Sequence, residues 1–161
     1  MIVVSNTSPI TNLAAIKQID LLYHLYGEIV IPQAVWSELH AMGKDWPGAR
    51  EVESAPWITQ RSVTNTLLVE SLTRDLDRGE AESIALALEM KADLLLLDEK
   101  EARRIAKRFD MAVIGILGVI LDAKHQGYLK EISPLLKSLQ QDAGFYLTDN
   151  LVRLVLDLAE E

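Results

Sequence analysis

Four oxygen-bearing side chains in this sequence are candidates for chemistry because of where they fall relative to predicted strands and helices. Asn6 follows an apolar run at the start of the chain, and Asp98 follows a second such run. Glu80 lies in the first turn of a predicted helix, and Glu38 lies within another. Amide and carboxylate oxygens, without sulfur or histidine, suit a hard cation such as Mg²⁺ or Mn²⁺. A cation held by a few such ligands keeps several waters and can activate one for attack on a phosphate.

Each of these residues also has a purely structural interpretation. Asn6 can act as the N-cap of the helix that follows it. Acids in a first turn complement the helix dipole by about 0.3–1 kcal/mol each, which would account for Glu80 and Glu82. Asp98 and Glu101 match a capping box, with Asp98 as N-cap and Glu101 at N3. A chemical role would be favoured over a structural role only if the fold brings these residues together.

Predicted strands alternate with predicted helices, which indicates an α/β fold with a parallel, twisted sheet flanked by helices on both faces. The strands are predicted at residues 2–4, 29–32, 57–63, 93–98 and 111–114. No linker or repeat divides the chain, so we expect one domain over residues 1–161. The carboxyl ends of parallel strands meet at one edge, where ligands bind in open sheets. That edge would hold Asn6, Asp98 and the turn that carries Glu80. Glu38 could reach it from a neighbouring helix.

The remaining elements follow from the helical spacing of apolar residues. Helices are predicted in two short pieces ending near residue 27, then at 33–42, 65–76, 80–88, after 98, at 115–126 and at 131–142. In the helix at 33–42, Val35, Leu39 and Met42 are predicted to face inward. Residues 43–48 read as a loop because of their glycine and proline content. Asp149 is predicted to cap a final amphipathic helix.

Composition excludes several classes of protein. Nearly half of the residues are hydrophobic, and the absence of cysteine excludes disulfides and thiolate metal sites. No signal peptide and no apolar stretch of about 18 residues is visible, so we expect a cytoplasmic protein without membrane contact. A net charge of −8 argues against non-specific coating of nucleic acid. There is no phosphate-binding Gly-Lys-Ser/Thr loop. A phosphoacceptor receiver domain is disfavoured because no lysine follows Asp98 at a later strand end.

The helix predicted after Asp98 is basic. The residues that would contact RNA phosphates there are Lys100, Arg103, Arg104 and Lys107. Most such stripes are solvated helix faces, but this one begins beside an acidic strand end and could therefore hold phosphates.

Several segments, in order along almost the whole chain, resemble small prokaryotic PIN-domain proteins. The opening Val-Val-Ser-Asn-Thr-Ser-Pro-Ile-Thr-Asn-Leu-Ala is similar to a family segment that usually reads Asp-Thr-Ser-Pro-Leu-Ile-Asn-Leu. The other matching segments are Ile-Pro-Gln-Ala-Val-Trp-Ser-Glu-Leu, Leu-Asp-Arg-Gly-Glu-Ala-Glu-Ser-Ile-Ala-Leu-Ala, Leu-Leu-Leu-Asp-Glu-Lys-Glu-Ala-Arg-Arg-Ile-Ala and Val-Ile-Gly-Ile-Leu-Gly-Val-Ile-Leu. Each segment alone is a weak signal, and the ordered set is a strong one.

The resemblance implies a metal-dependent ribonuclease that cuts single-stranded RNA, and many family members are toxins of toxin–antitoxin pairs. The family's metal-binding acids map onto Asn6, Glu38, Glu80 and Asp98. The additional candidates are Glu82 and Glu101 as further acids, Thr7 and Ser8 as hydroxyl contacts, and Asn12 beside the ligands. The implied partners are single-stranded RNA, an antitoxin protein and a second copy of the chain. Exposed Trp46 and the final amphipathic helix would supply apolar surface for that homodimer.

Position 6 departs from the family, which has aspartate where this chain has Asn6. An amide oxygen can still bind a hard cation, but it adds no charge and its NH₂ must point elsewhere. We therefore expect a weakened nuclease. The alternative is a catalytically inactive PIN-fold module that binds nucleic acid or another protein.

Overall fold

A five-stranded, all-parallel sheet forms the centre of the computed structural model, which describes residues 1–161. The strands are β1 (Val3–Ser5), β2 (Ile29–Pro32), β3 (Ile58–Arg61), β4 (Leu94–Leu96) and β5 (Val113–Ile114). The helices are α1 (Thr7–Ala15), α2 (Asp20–Tyr26), α3 (Gln33–Ala41), α4 (Ala49–Ser54), α5 (Thr66–Leu72), α6 (Arg78–Met90), α7 (Lys100–Arg108), α8 (Ile116–His125), α9 (Ser133–Gln141) and α10 (Asp149–Leu158). No helix combines the length and the apolar character needed to cross a membrane.

The sheet has the order β3-β2-β1-β4-β5, so the chain builds outward from β1 on both sides. Val4 of β1 lies opposite Val30 of β2 on one side and Leu95 of β4 on the other. Crossovers therefore leave β1 and β4 in opposite directions. This switch opens a crevice at the carboxyl ends of the two strands, which is the usual ligand position in such sheets. The predicted parallel α/β fold is confirmed.

Successive residues of β1 point to opposite faces of the sheet and enter separate cores. Val3 packs in a cluster with residues of α1, α8 and α9, and Val4 packs in a cluster with residues of α5, α6 and α7. Both side chains are fully buried. A strand that is apolar on both faces is typical of a parallel sheet covered on both sides. The predicted two-sided arrangement of helices is therefore present.

Three local predictions are wrong. The N-cap of α7 is Glu99, not Asp98, and Asp98 and Glu101 form no capping box. Asp149 does not cap α10, because the N-cap is Thr148, whose side chain accepts from the Leu151 N–H at 3.1 Å.

The third error concerns α3, where Val35 and Leu39 are buried but Met42 is 64 % exposed. Met42 is the C-cap of α3, outside its last turn, so the helical spacing no longer directs its side chain inward.

The short helix α4 was not predicted and follows the loop at residues 43–48. Gly48 begins it with a φ of +101°, and the Glu51 carboxylate accepts from the Gly48 N–H at 2.9 Å. A Cβ at Gly48 would lie 2.9 Å from Leu39 Cδ2 and 3.3 Å from Ile10 Cγ2. Both of those side chains are fully buried and cannot move freely. Gly48 therefore fixes the loop against the core.

Two glycine variants test this anchoring. Gly43 and Gly48 have similar positive φ values of +97° and +101°, but a Cβ at Gly43 would meet nothing within 4 Å. Both alanine variants should lose about 1–3 kcal/mol of unfolding free energy through backbone strain. Gly48→Ala should lose about 1–3 kcal/mol more through overpacking. Urea unfolding of both variants measures the difference, and equal losses would contradict the packing of Gly48 on α1 and α3.

Candidate functional site

A cavity of about 270 Å³ opens where β1 ends and α1 begins. We call it the acidic cavity. Its lining residues are Asn6, Thr7, Ser8, Thr11, Asn12, Glu38, Trp46, Asp77, Glu80 and Glu99. It lies at the carboxyl edge of the sheet, and it contains three of the four predicted metal-binding positions. Polar side chains of α1 form one wall, and acids from three other segments face it.

Asn6 occupies the N-cap position of α1, but its side chain makes no capping hydrogen bond. The residue is 4 % exposed, and its Oδ1 is buried without a hydrogen-bond partner. The backbone N–H of Asn6 donates to Leu96 O at 3.0 Å, which holds this position beside β4. A buried oxygen without a donor costs about 1–3 kcal/mol. Helix capping therefore does not account for the Asn6 side chain.

Glu38 extends from α3 to the first turn of α6. Its carboxylate accepts a hydrogen bond from Thr7 Oγ1. It also lies so close to Gly79 that a Cβ there would be 2.7 Å from Oε2. Burial raises the pKa of Glu38, the Thr7 hydroxyl partly opposes this, and the nearby Asp77 carboxylate raises the pKa further. Thr7 and Gly79 thus hold a desolvated carboxylate at the cavity.

Glu80 is held by a capping box at the start of α6. Asp77 Oδ1 accepts from the Glu80 N–H at 2.8 Å, and Glu80 Oε1 accepts from the Asp77 N–H at 3.0 Å. Burial raises the pKa of Glu80, and the hydrogen bond from the Asp77 backbone lowers it. The carboxylates of Asp77, Glu99 and Glu38 then raise it. Glu80 therefore lies in a desolvated, negatively charged environment.

Asp77 and Glu99 are cavity residues that the sequence interpretation missed. Asp77 could have been found, because Asp-x-x-Glu before an apolar run is a capping-box pattern. Glu99 carried no separate signal, since it follows Asp98 directly and both residues precede a helix.

Asp98 lies beside the acidic cavity and does not line it. Its Oδ1 accepts from the Ile116 N–H at 2.8 Å, and its Oδ2 is buried without a partner. Burial raises the pKa of Asp98, while the Ile116 N–H and the Arg103 charge oppose this effect. A Cβ at Gly115 would lie 2.6 Å from both Asp98 Oδ1 and Arg103 Nη1. The glycine at the start of α8 therefore leaves room for both side chains.

The two additional acids lie outside the acidic cavity. Glu82 Oε1 accepts from the Ala34 N–H at 3.0 Å, and its Oε2 pairs with Arg78 Nε at 3.0 Å. Glu82 therefore ties α6 to the start of α3. Glu101 is exposed and pairs with Arg104 in the same helix.

The neighbouring polar residues on α1 have separate partners. Thr7 contacts Glu38, and Ser8 Oγ accepts from Asn12 Nδ2 at 3.1 Å. Ser8 and Asn12 both line the cavity, so their polar atoms lie next to the acids without bonding to them.

The predicted basic residues share a second cavity of about 430 Å³. Its lining residues are Asp98, Lys100, Arg103, Arg104 and Lys107. We call it the basic cavity. Of the basic side chains in this cavity, only Arg104 forms an ion pair, with Glu101. Asp98, which follows β4, is the one acid that lines the basic cavity.

The donor chemistry of the acidic cavity fits a hard divalent cation. Asn6 Oδ1 is a buried acceptor without a donor, and Glu38 and Glu80 are carboxylates whose negative charge burial disfavours. A cation would satisfy the first and neutralise the others. No three acidic or histidine side chains are placed to hold one metal ion. The predicted positions that line the cavity are one amide oxygen and two carboxylates, and Asp77 and Glu99 add further carboxylates to its lining.

The raised pKa values predict an unusual pH dependence. Because Glu38 has a higher pKa in the folded than in the unfolded protein, the folded state binds more protons between the two values. Its ionisation therefore lowers the free energy of unfolding as pH rises through that window. Glu38→Gln should make the metal-free protein more stable than wild type at neutral pH. This gain should disappear below about pH 4, where the unfolded carboxyl is also protonated.

Glu89 provides a control of opposite sign. Burial raises the pKa of Glu89, but hydrogen bonds from Asn65 and Thr64 outweigh burial and lower it. Glu89→Gln should therefore lose stability at neutral pH. Thermal unfolding in EDTA across the pH range measures both variants, and a stability loss in Glu38→Gln at neutral pH would contradict the desolvated carboxylate.

Comparison with known proteins agrees with this architecture. A family model described as DUF3368, PIN domain, matches residues 2–161. No curated protein matches the chain. A PilT N-terminus domain protein, SSO1118, from the hyperthermophilic archaeon Sulfolobus solfataricus P2 has a similar structure, with a TM-score of 0.52 and 20 % identity over 74 % of this chain and 90 % of that one. At this identity the similarity supports the fold alone. Because the family model spans almost the whole sequence, the chain belongs to the PIN-domain family, whose members are generally metal-dependent nucleases.

Proposed function

We propose that this protein is a Mg²⁺- or Mn²⁺-dependent endoribonuclease that cuts single-stranded RNA at the acidic cavity. The observation that carries the proposal is the unpaired, buried Asn6 Oδ1 in the same cavity as Glu38 and Glu80. This oxygen accepts no hydrogen bond from the start of α1, so it does not act as a helix cap, but a cation could bind it. Because Asn6 adds no charge, we infer weaker metal binding than an aspartate would give.

In this proposal Asn6, Glu38 and Glu80 hold the ion. A bound divalent cation supplies a water of lowered pKa and stabilises charge on a phosphate. Thr7 orients the Glu38 carboxylate through its hydroxyl. Asp77 orients Glu80 through the capping box.

The basic cavity is the proposed contact for the RNA backbone. Lys100 and Lys107 line it without an ion-pair partner, so their charges remain available to phosphates, and Arg103 would contribute beside Asp98. Because the protein has a net charge of −8, it repels RNA as a whole, and the attraction is confined to these basic side chains. A strand held on α7 would pass Asp98 on its way to the acidic cavity. In this proposal, phosphates held by the basic residues of α7 would lead the strand to the proposed metal ligands.

A catalytically inactive PIN-fold module that binds nucleic acid or protein is the second candidate. The observation in its favour is that no three acidic or histidine side chains are placed to hold one metal ion. Cleavage of single-stranded RNA in Mn²⁺, with Glu38→Ala as the inactive reference, separates the two functions. Cleavage that Glu38→Ala removes supports the nuclease, and binding without cleavage supports the module.

Metal binding predicts a rise in melting temperature. At about 100 times its Kd, a cation adds about 2.7 kcal/mol of stability, or about 5–10 °C for a chain of this size. Mn²⁺ should raise the melting temperature of wild type, and Glu38→Gln and Glu80→Gln should remove most of that rise. Glu101→Gln is the matched control, since Glu101 lies on the surface in an ion pair with Arg104. An equal rise in all the variants would exclude the acidic cavity as the metal site.

A second prediction concerns position 6. Asn6→Asp brings a further carboxylate to the cavity, so the metal-free protein should be less stable through charge repulsion. In Mn²⁺ it should bind the ion about tenfold more tightly and cut single-stranded RNA faster. Asn65→Asp is the control, because Asn65 caps α5 through a hydrogen bond from Leu68 N–H at 3.2 Å. Aspartate caps a helix about as well as asparagine. Because the Glu89 carboxylate accepts from the Asn65 N–H, this variant should lose some metal-free stability, but it should not change the response to Mn²⁺ or the RNA cleavage.

Melting with and without Mn²⁺, together with RNA cleavage, compares the two variants with wild type. If Asn6→Asp behaves like Asn65→Asp in all these measurements, position 6 is a helix start and not a metal ligand.

A further inference from the structure

Trp46 is the one apolar side chain that lines the acidic cavity. Its side chain is 42 % exposed, although tryptophan is mostly buried in folded proteins. The surrounding residues are carboxylates and the polar face of α1, so the indole does not complete a hydrophobic core. A large flat apolar surface beside a set of metal-type ligands requires a separate explanation.

The loop that carries Trp46 is held in place. The Trp46 N–H donates to Gly43 O at 3.2 Å, and the Ala49 N–H donates to Trp46 O at 3.0 Å. Two residues later, Gly48 packs against Leu39. The backbone at Trp46 is thus fixed to the turn before it and to α4 after it. An aromatic surface on such a loop is preorganised, which reduces the entropy lost on binding.

The α1 wall of the cavity offers unused polar atoms. Thr11 Oγ1 is buried and has no hydrogen-bond partner. Ser8 and Asn12 lie one turn apart on the same wall and bond to each other. The cavity therefore combines a flat apolar surface on the loop with hydrogen-bonding groups on the helix. A nucleobase has the matching shape, with an aromatic face and a polar edge.

We propose that Trp46 and the Thr11 side of α1 form a nucleobase subsite, in which the base stacks on the indole and its edge faces the helix. This inference rests on the proposed ribonuclease function and specifies its substrate as a strand with unpaired bases. Bases in a duplex are stacked on their neighbours and present no free face. Stacking on Trp46 would therefore favour single strands over duplexes.

Binding without cleavage tests the subsite. Fluorescence anisotropy of a short, fluorescein-labelled single-stranded RNA in EDTA measures the affinity. Trp46→Ala should weaken binding about 5- to 100-fold, the range that a stacked base provides. Trp46→Phe keeps an aromatic face and should retain most of the affinity. Tyr128→Ala is the matched control, because Tyr128 is 47 % exposed and lines neither the acidic nor the basic cavity.

A set of RNAs, each lacking one base, gives a readout that a purely structural role would not change. Wild type should lose affinity when one particular base is removed, and Trp46→Ala should be insensitive to that same removal. The inference is overturned by unchanged binding in Trp46→Ala, by an equal response of both proteins to every missing base, or by wild type that binds no single-stranded RNA. A Trp46→Ala protein that changes its mass in solution while keeping its affinity would assign Trp46 to a protein interface instead.

These measurements separate the subsite from the nuclease proposal. Base-dependent binding through Trp46 without cleavage in Mn²⁺ would support the subsite and overturn the nuclease. If wild type and Trp46→Ala cleave RNA equally fast in Mn²⁺ and bind it equally tightly, the nuclease proposal is supported and the subsite is overturned.

Discussion

Desolvation of oxygen atoms at the carboxyl edge of the sheet is the constraint on which the site depends. Burial raises the pKa values of Glu38, Glu80 and Asp98, and it leaves Asn6 Oδ1 without a partner. Each of these features opposes folding in the absence of a cation. The apolar cores on both faces of the sheet must offset that cost. A site of this kind is therefore built at the expense of stability, as binding and catalytic sites often are.

Helix N-termini supply much of the compensation. The Asp98 carboxylate accepts from Ile116 N–H at the start of α8, and Glu82 accepts from Ala34 N–H at the start of α3. Glu38 lies against Gly79 in the first turn of α6, whose backbone N–H lowers its pKa. The first N–H groups of a helix have no intrahelical partner and carry partial positive charge. Two acids thus accept hydrogen bonds from helix starts and a third lies against another helix start, which links the position of each carboxylate to the packing of the helices.

The same tertiary bonds explain which features the sequence could predict. The parallel fold and the expected meeting of Asn6 and Glu80 followed from strand ends and helix starts. Glu38, in the middle of α3, was assigned to the same site by the family resemblance. Local patterns failed where a distant donor competed for a side chain. Asp98 bonds to Ile116 N–H, 18 residues away, and leaves the N-cap position of α7 to its neighbour. Glu82 is directed to Ala34 in the same way. Capping patterns involve only residues that are close in sequence, so they cannot identify hydrogen-bond donors that are distant along the chain.

An amide at position 6 has two opposite effects on this arrangement. It removes one negative charge from a region where Glu38, Glu80 and Asp77 already repel one another, which favours the metal-free fold. At the proposed metal site it would also remove one unit of attraction for a cation, so that a higher ion concentration would be needed for the same occupancy. The oxygen is nevertheless retained in a buried position without a donor. If position 6 binds the ion as proposed, Asn6 would supply a ligand oxygen without adding charge. The amide would then stabilise the metal-free protein and weaken metal binding, so that the two states differ less in free energy.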